Sequence, residues 1–234
     1  MANQIKTWDG VGYASLKKFN GVSAAGIKTI NGLLLVVVPP FFGYFSGGNT
    51  GAFVTTTDGL NFSTDTTTQV TKGALSQARD ELAGANSSTL AYFSGGFTNA
   101  NVTTTDGLTF STDTTTQVTK GALSQARNGL VGANSSTLAY SSGGYAGGFV
   151  TTTDGLTFST DTTTQVTKGA LSQGRIDLAG ANSSTLAYFS GGNSGDYVTT
   201  TDGLTFSTDT TAQVTKGALS QGRAGLAGAQ SGSV

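Results

Sequence analysis

Arginine and aspartate are the side chains of this sequence whose type and spacing could support chemistry, and both recur every 48 residues. Guanidinium groups bind carboxylates and phosphates through paired hydrogen bonds, so equivalent arginines converging on one axis would form an anion-binding ring. Alternatively, each arginine pairs with an aspartate of its own or a neighbouring repeat, for instance Asp113 or Asp161. The four candidates for the ring are Arg79, Arg127, Arg175 and Arg223.

The aspartates raise the question of a metal site. Asp58 and Asp65 recur with the same period, and their carboxylates could line a calcium site together with carbonyl oxygens. No compact Asp-x-Asp-x-Asp-Gly loop is present. Turn and cap roles are therefore favoured for these aspartates, and neither a metal nor a cofactor is predicted.

The scarcity of other residues that commonly act in catalysis argues against an enzyme. The sequence has no cysteine and no histidine, and Glu81 is its single glutamate. Metal sites built on imidazole or thiolate, Ser-His-Asp triads and Cys-His dyads are thereby excluded. The sequence predicts a protein that is not an enzyme.

The charge and hydropathy of the sequence argue against two kinds of partner, nucleic acids and membranes. The net charge of −1 divides into +3 over residues 1–31 and −4 over the repeats, and neither value indicates a nucleic-acid-binding face. The most apolar stretch, residues 33–38, is far shorter than the roughly 20 residues that span a bilayer. Residues 1–4 lack the layout of a signal peptide, so neither membrane insertion nor export is predicted.

The elements that position these side chains follow from the 48-residue repeat. Four copies fill residues 44–234 without insertion, and β-branched and aromatic residues punctuated by Gly and Asp predict strands. One complete copy predicts four strands, over 130–134, 137–142, 149–159 and 163–170. Four strands per repeat is the content of a propeller blade.

The two ends of the array are complementary. The first copy lacks the Arg-x-x-Leu strand that precedes the others, and residues 223–229 supply one further copy of it. We predict an all-β fold, a four-bladed β-propeller closed by its C-terminal strand, which would leave no exposed sheet edge. If that ring were too tight, two chains could share a larger one.

A shorter repeat occupies the N-terminal region. Three motifs spaced by 11 residues each end in Gly after Asp or Asn, at Gly10, Gly21 and Gly32, which predicts short strands joined by tight turns. So small a segment cannot bury a core of its own and is expected to pack on identical copies or on a partner. We therefore predict a homo-oligomer with an assembly segment at residues 1–38 and the propeller at 39–234.

Variation among the copies points to a binding surface. Between residues 92–139 and 140–187, 10 of 48 positions differ, and five of these ten fall in one loop. Equivalent propeller loops emerge on one face, where aromatic and amide side chains suit sugar stacking and hydroxyl binding, although drift in a tolerant loop is the alternative. The predicted ligand-binding residues are Asn49, Phe53, Phe97, Asn99, Asn101, Tyr145, Phe149, Asn193, Asp196 and Tyr197.

The repeat resembles known families. Residues 127–144, with Arg followed by Tyr-x-Ser-Gly-Gly, resemble the kelch repeat, although valines such as Val118 lie near the position of the kelch tryptophan. The segment Thr-Thr-Asp-Gly-Leu-Thr-Phe-Ser-Thr-Asp-Thr is similar to kelch-like repeats in virion proteins of tailed phages of marine and cyanobacterial hosts. The N-terminal motifs resemble segments that open phage fibre and appendage proteins.

The resemblance implies a virion appendage, whether tail fibre, collar or capsid decoration, that is assembled in the host cytoplasm and exposed on the particle. Residues 1–38 would bind other virion proteins, and the propeller would bind host-surface glycans. A purely structural decoration protein without a ligand is the alternative. Thr-Thr-Asp-Gly-Leu-Thr-Phe also resembles the Asp-box of sialidase-type propellers, one residue short. A sialidase-like active site would need a glutamate beside a tyrosine, several convergent arginines and another carboxylate, so a sialidase-like glycosidase is the less favoured alternative.

Overall fold

Each repeat folds into an antiparallel sheet whose strands follow one another in chain order. The computed structural model describes residues 42–62 and 69–229, together with the backbone of six two-residue strands between residues 7 and 34. By backbone proximity the chain divides into two units, Met1–Gly43 with Asn61–Thr67 and Tyr44–Leu60 with Thr68–Val234. The predicted domain boundary between residues 38 and 39 lies outside the described residues.

The first unit contains three β-hairpins. Their strands are β1 (Thr7–Trp8), β2 (Val11–Gly12), β3 (Lys18–Phe19), β4 (Val22–Ser23), β5 (Thr29–Ile30) and β6 (Leu33–Leu34). Each hairpin pairs antiparallel, with Trp8 opposite Val11, Phe19 opposite Val22 and Ile30 opposite Leu33. Two residues therefore separate the strands, which confirms the strands that the Asp-Gly and Asn-Gly dipeptides predict; the dipeptides themselves lie outside the described residues.

Three of the four long repeats form four-stranded sheets in simple meander order. The first is β10 (Ala83–Asn86), β11 (Leu90–Ser94), β12 (Thr105–Thr109) and β13 (Val118–Lys120). The second is β14 (Val131–Asn134), β15 (Leu138–Ser142), β16 (Thr153–Thr157) and β17 (Val166–Thr167). The third is β18 (Ala179–Asn182), β19 (Leu186–Ser190), β20 (Thr201–Thr205) and β21 (Val214–Thr215).

Before them stands a three-stranded sheet, β7 (Phe42–Ser46), β8 (Thr57–Asn61) and β9 (Val70–Lys72). The predicted four-strand blade is thus confirmed. The first two strands begin one residue later than predicted, and the last two are several residues shorter. The third strand begins at Thr153 because residues 149–152 finish a loop, and it ends where Phe158–Thr160 forms a 3-10 helix. The protein is an all-β, propeller-like array of four sheets, and the part of the chain that the structure describes holds no helix that could cross a membrane.

The core lies between neighbouring sheets, where aromatic rings stack across each junction. Tyr44 stacks on Phe110 with ring centroids 5.4 Å apart, and Tyr92 stacks on Phe158 at 5.5 Å. Buried leucines and alanines surround these pairs, as Leu156 and Ala139 surround Tyr92. The valines near the kelch tryptophan position take no part in the packing, since all are more than half exposed: Val70, Val118, Val166 and Val214.

Backbone contact between the first strands of successive sheets is equally close. A Cβ at Gly132 would lie 1.9 Å from the carbonyl oxygen of Gly84, and one at Gly180 would lie 2.2 Å from that of Gly132. Only glycine permits this approach. The repeated Ala-Gly-Ala segment therefore sets how tightly the sheets pack.

The predicted closure by the C-terminal strand is not confirmed. Residues 226–229 form no strand, and β7 lies at the edge of its sheet with β8 as its neighbour. Gly228 instead packs on the carbonyl of Gly180, as the first strand of a further sheet would. A Cβ at Gly84 would meet no atom within 4 Å, so no described strand covers it as β10 covers Gly132.

Candidate functional site

The variable loops are short hairpins with a common backbone. In each of the four, the first and last residues form an isolated β-bridge. The third residue has a positive φ in every copy: 100° at Gly51, 94° at Asn99, 88° at Gly147 and 110° at Gly195. Glycine and asparagine tolerate this conformation best, so part of the loop composition is dictated by the turn rather than by a ligand. We call residues 49–53, 97–101, 145–149 and 193–197 together the loop row.

Amide side chains in the loop row are engaged in shaping it. The Gly51 amide donates to Asn49 Oδ1 at 2.8 Å, and the Gly195 amide donates to Asn193 Oδ1 at 2.8 Å. Asn101 Nδ2 donates to the carbonyl oxygen of Tyr145 at 2.7 Å. These bonds occupy atoms that the predicted contacts to sugar hydroxyls would need, and they explain three of the asparagines as determinants of loop structure.

The four loops form one continuous surface. Phe53 of the first loop packs edge-to-face on Phe97 of the second, with ring centroids 5.8 Å apart. The second loop contacts the third through the bond from Asn101 to the Tyr145 carbonyl. Residues 173–174 touch both the third and the fourth loops, since a Cβ at Gly174 would lie 2.5 Å from the carbonyl oxygen of Phe149 and Gln173 Nε2 donates to Ser194 Oγ at 2.9 Å.

Exposed rings concentrate at one end of the loop row. Phe53 and Phe97 are half-buried against each other, whereas Tyr145, Phe149 and Tyr197 are 41%, 40% and 68% exposed. Tyr145 and Phe149 meet edge-to-face at 5.9 Å, which leaves ring surface open to solvent. The structure therefore brings the predicted residues together and assigns the accessible aromatic area to the third and fourth loops.

A ladder of turns flanks the loop row and adds negative charge. Gly129 N donates to the Glu81 carbonyl at 3.0 Å, Asp177 N to that of Gly129 at 3.0 Å, and Gly225 N to that of Asp177 at 2.8 Å. Glu81 and Asp177 each have φ of 54°, a conformation that side chains rarely adopt. The preceding residues, such as Asp80, bridge to the first residue of a variable loop.

Burial perturbs the ladder carboxyls. Burial raises the pKa of the Glu81 carboxyl, and the charges of Asp80 and Asp177 raise it further, while a hydrogen bond from Asn128 opposes the shift. Burial also raises the pKa of the Asp177 carboxyl. Sequence reasoning did not single out this pair, because Glu81 and Asp177 stand where the other two repeats have Gly129 and Gly225.

The arginines do not form the predicted anion-binding ring. Arg79 donates to Asp106 at 2.9 Å, Arg127 to Asp154 at 2.8 Å and Arg175 to Asp202 at 3.0 Å, with both partners fully buried in every pair. The desolvation of Arg79 and Arg175 lowers their pKa. The alternative of Arg–Asp pairing is therefore confirmed for these three arginines. The fourth, Arg223, is exposed.

The aspartates divide between the predicted role and another. The repeats of Asp65 stand at the predicted cap position, each directly after a 3-10 helix: Asp113, Asp161 and Asp209. The repeats of Asp58 are buried partners of arginine within strands rather than turn or cap residues. Asp65 lies outside the described residues, but its repeats accept bonds across the junctions: Asp113 from the Tyr44 hydroxyl and from Lys72, both at 2.9 Å. Among the described residues no group of His, Cys, Asp or Glu is arranged to hold a metal ion.

Comparisons with known proteins define only the class of fold. No protein-family model matches the sequence, and no curated protein matches it. The chain is similar in structure to a solved protein titled "Structure of YjhT", with a TM-score of 0.60 and 14% sequence identity. The similarity covers 80% of this chain and 69% of that chain. At this identity the likeness shows the fold alone, that of an all-β, propeller-like protein.

Proposed function

We propose that this protein is a non-enzymatic virion appendage protein of a tailed phage that binds carbohydrate through the loop row. The observation that carries the binding proposal is the exposed aromatic surface of Tyr145, Phe149 and Tyr197 on loops that vary between otherwise near-identical repeats. Aromatic faces bind the apolar faces of sugar rings, and a rigid β-scaffold keeps such a surface assembled.

The geometry favours stacking over amide recognition. Asparagine atoms of the loop row are engaged within the loops, whereas the three aromatic rings keep 40% or more of their surface exposed. Each site would be weak, because a single stacked ring contributes about 0.5–1.5 kcal/mol beyond its area. Display of many copies on one particle would multiply weak sites into firm adhesion.

The virion assignment rests on the sequence resemblance of the repeats and of the N-terminal motifs to phage appendage proteins. In this proposal residues 1–38 attach the protein to other virion proteins and leave the loop row facing outward. The hairpins of that segment present short strands, which suit packing against identical copies or a partner.

Binding to a glycan array, followed by titration of the glycans that bind, tests the carbohydrate proposal. We expect Tyr145→Ala, Phe149→Ala and Tyr197→Ala each to weaken binding by about 2- to 10-fold, because each removes one stacking surface. Phe45→Ala is the matched control, since Phe45 is 57% exposed but lies in β7 outside the loop row. Glycan binding that survives the triple substitution would show that the site is elsewhere.

The alternative, a decoration protein without a ligand, makes a different prediction. The observation in its favour is that Asn49 and Asn193 bind backbone amides of their own loops. Under this alternative the wild-type protein binds no glycan, and labelling of the assembled virion shows the loop row covered by neighbouring proteins. Hydrolysis of any glycan by the purified protein would contradict both readings.

A further inference from the structure

Every junction between sheets repeats one ion pair. An arginine that follows the last strand of one sheet donates to an aspartate in the third strand of the next sheet, 27 residues later. The three pairs, Arg79–Asp106, Arg127–Asp154 and Arg175–Asp202, have N–O distances between 2.8 and 3.0 Å and no exposed side-chain surface. The same buried ion pair therefore recurs at all three junctions between sheets.

The last arginine is placed for a fourth such pair that this chain does not form. The Gly192 amide donates to the Arg223 carbonyl at 2.8 Å, as the Gly48 amide does to the Arg79 carbonyl at 2.9 Å, so the backbone is seated as in the other repeats. The Arg223 side chain is nevertheless exposed and has no ion pair within the described chain.

The matching aspartate stands at the other end of the array. Asp58 occupies in β8 the position that Asp106 occupies in β12, but no described arginine pairs with it. The buried partners of the internal pairs are fully covered, whereas Asp58 is only partly buried. The two ends therefore carry opposite halves of the same ion pair.

A second pair of groups shows the same complementarity. Gln117 Nε2 donates to Thr57 Oγ1 at 2.8 Å, and Gln165 Nε2 donates to Thr105 Oγ1 at 2.9 Å across their junctions. Gln69, the first glutamine of this series, is exposed at one end, and Thr201, the last threonine, receives no glutamine at the other.

Close backbone contacts are also missing beside the first sheet and in the last one. A Cβ at Gly73 would lie 1.7 Å from the carbonyl oxygen of Thr115, and the same holds for Gly169 and Thr211. A Cβ at Gly217, in the last repeat, would meet nothing within 4 Å, and neither would one at Gly84, which lies in β10 beside the first-strand position that the three-stranded sheet lacks. Among the described residues, the first sheet, which carries Asp58, and the last sheet, which Arg223 follows, therefore each have one face without a partner sheet, and we call these two the end faces.

We propose that the end faces bind each other between two copies of this chain, so that Arg223 of one copy forms the ion pair with Asp58 of the next. The internal junctions supply the geometry of this contact, and the opposite charges supply its direction. Because the contact joins two different surfaces, it is heterologous and generates a ring if the rotation closes and a linear assembly if it does not.

Light scattering and sedimentation over a range of protein concentrations test this proposal with charge-reversal variants. We expect wild-type protein to self-associate, and Arg223→Asp or Asp58→Arg alone to weaken association by about 30-fold or more, because each places two like charges opposite each other in the contact. The double variant Arg223→Asp/Asp58→Arg should recover association. Ser136→Arg, at an exposed hairpin turn, is the control for added charge and should associate like wild type.

Mixing the two single variants separates contact between copies from closure within a chain. The Asp58 of one variant can then pair with the Arg223 of the other, so a mixed assembly should form where neither variant assembles alone. Wild-type protein that stays monomeric at every concentration, or single variants that associate as well as wild type, would overturn the proposal. Thermal unfolding of each variant at a concentration where it is monomeric verifies that the charge reversal has not unfolded it.

Discussion

Replacing Arg127 by methionine is expected to destabilise the protein severely. Arg127 donates to Asp154 at 2.8 Å, to the carbonyl oxygens of Ser141 and Gly143 at 2.8 and 2.9 Å, and to that of Gln125 at 3.3 Å. Methionine fills much of the volume of the stem but satisfies none of these acceptors.

The size of the stability loss follows from the carboxylate that Arg127→Met leaves without a cationic partner in the core. Asp154 is fully buried and would keep its bonds from the Ser124 amide and hydroxyl at 3.0 and 2.7 Å and a long one from the Thr167 hydroxyl at 3.5 Å, but no cation. Removing one partner of a buried ion pair costs about 3–5 kcal/mol. For a chain of this size such a loss lowers the unfolding temperature by about 6–20 °C.

Urea and thermal unfolding of three variants measure this effect. Arg223→Met is the matched control, because the same residue type at the equivalent repeat position is exposed, and it should change stability by less than about 0.5 kcal/mol when the protein is monomeric. The double variant Arg127→Met/Asp154→Leu removes both charges and should recover most of the loss. Equal effects of Arg127→Met and Arg223→Met, or a double variant no more stable than the single one, would refute the reasoning.

Three further predictions concern the turn ladder and the junction glutamine. Glu81→Gly should raise the free energy of unfolding in urea by about 1 kcal/mol because it relieves a φ of 54°, whereas Gly129→Ala, at φ 62°, should lower it by a similar amount. Because the pKa of the Glu81 and Asp177 carboxyls is higher in the folded protein than in the unfolded chain, stability should fall as the pH rises above about 4, and a slope unchanged in Glu81→Gly would contradict this. Gln165→Leu should cost about 1–3 kcal/mol in the same assay by leaving Thr105 and Gly121 without their donor, and a loss below about 0.5 kcal/mol would argue against that role.

Much of the fold follows from the sequence because the signals are local. The alternation of β-branched and aromatic residues predicts the strands, and the Gly after Asp or Asn predicts the N-terminal hairpins, whose pairing the structure confirms. Loop position is also a local property, since five variable residues lie between two fixed strands. The strand ends are less accurate, because a turn such as Phe158–Thr160 continues the same threonine-rich composition.

The site is predictable only in part. The sequence identifies the loop row. The exposure of Tyr145 and Tyr197 and the partial burial of Phe53, however, depend on which neighbouring loop each ring meets. The sequence also does not show that loop asparagines bind backbone amides, because these bonds form only in the folded turn, as the bond from the Gly51 amide to Asn49 shows.

The sequence by itself determined the repeat, the strands, the absence of histidine and cysteine chemistry, and the complementary ends of the array. Only the tertiary structure decided that Arg127 pairs with Asp154 rather than with Asp161, and that Arg223 and Asp58 stay apart within one chain. The physical reason is that periodicity fixes what each repeat contains. The offset and rotation between packed sheets, set by contacts such as Gly132 on Gly84, fix which groups of two repeats meet.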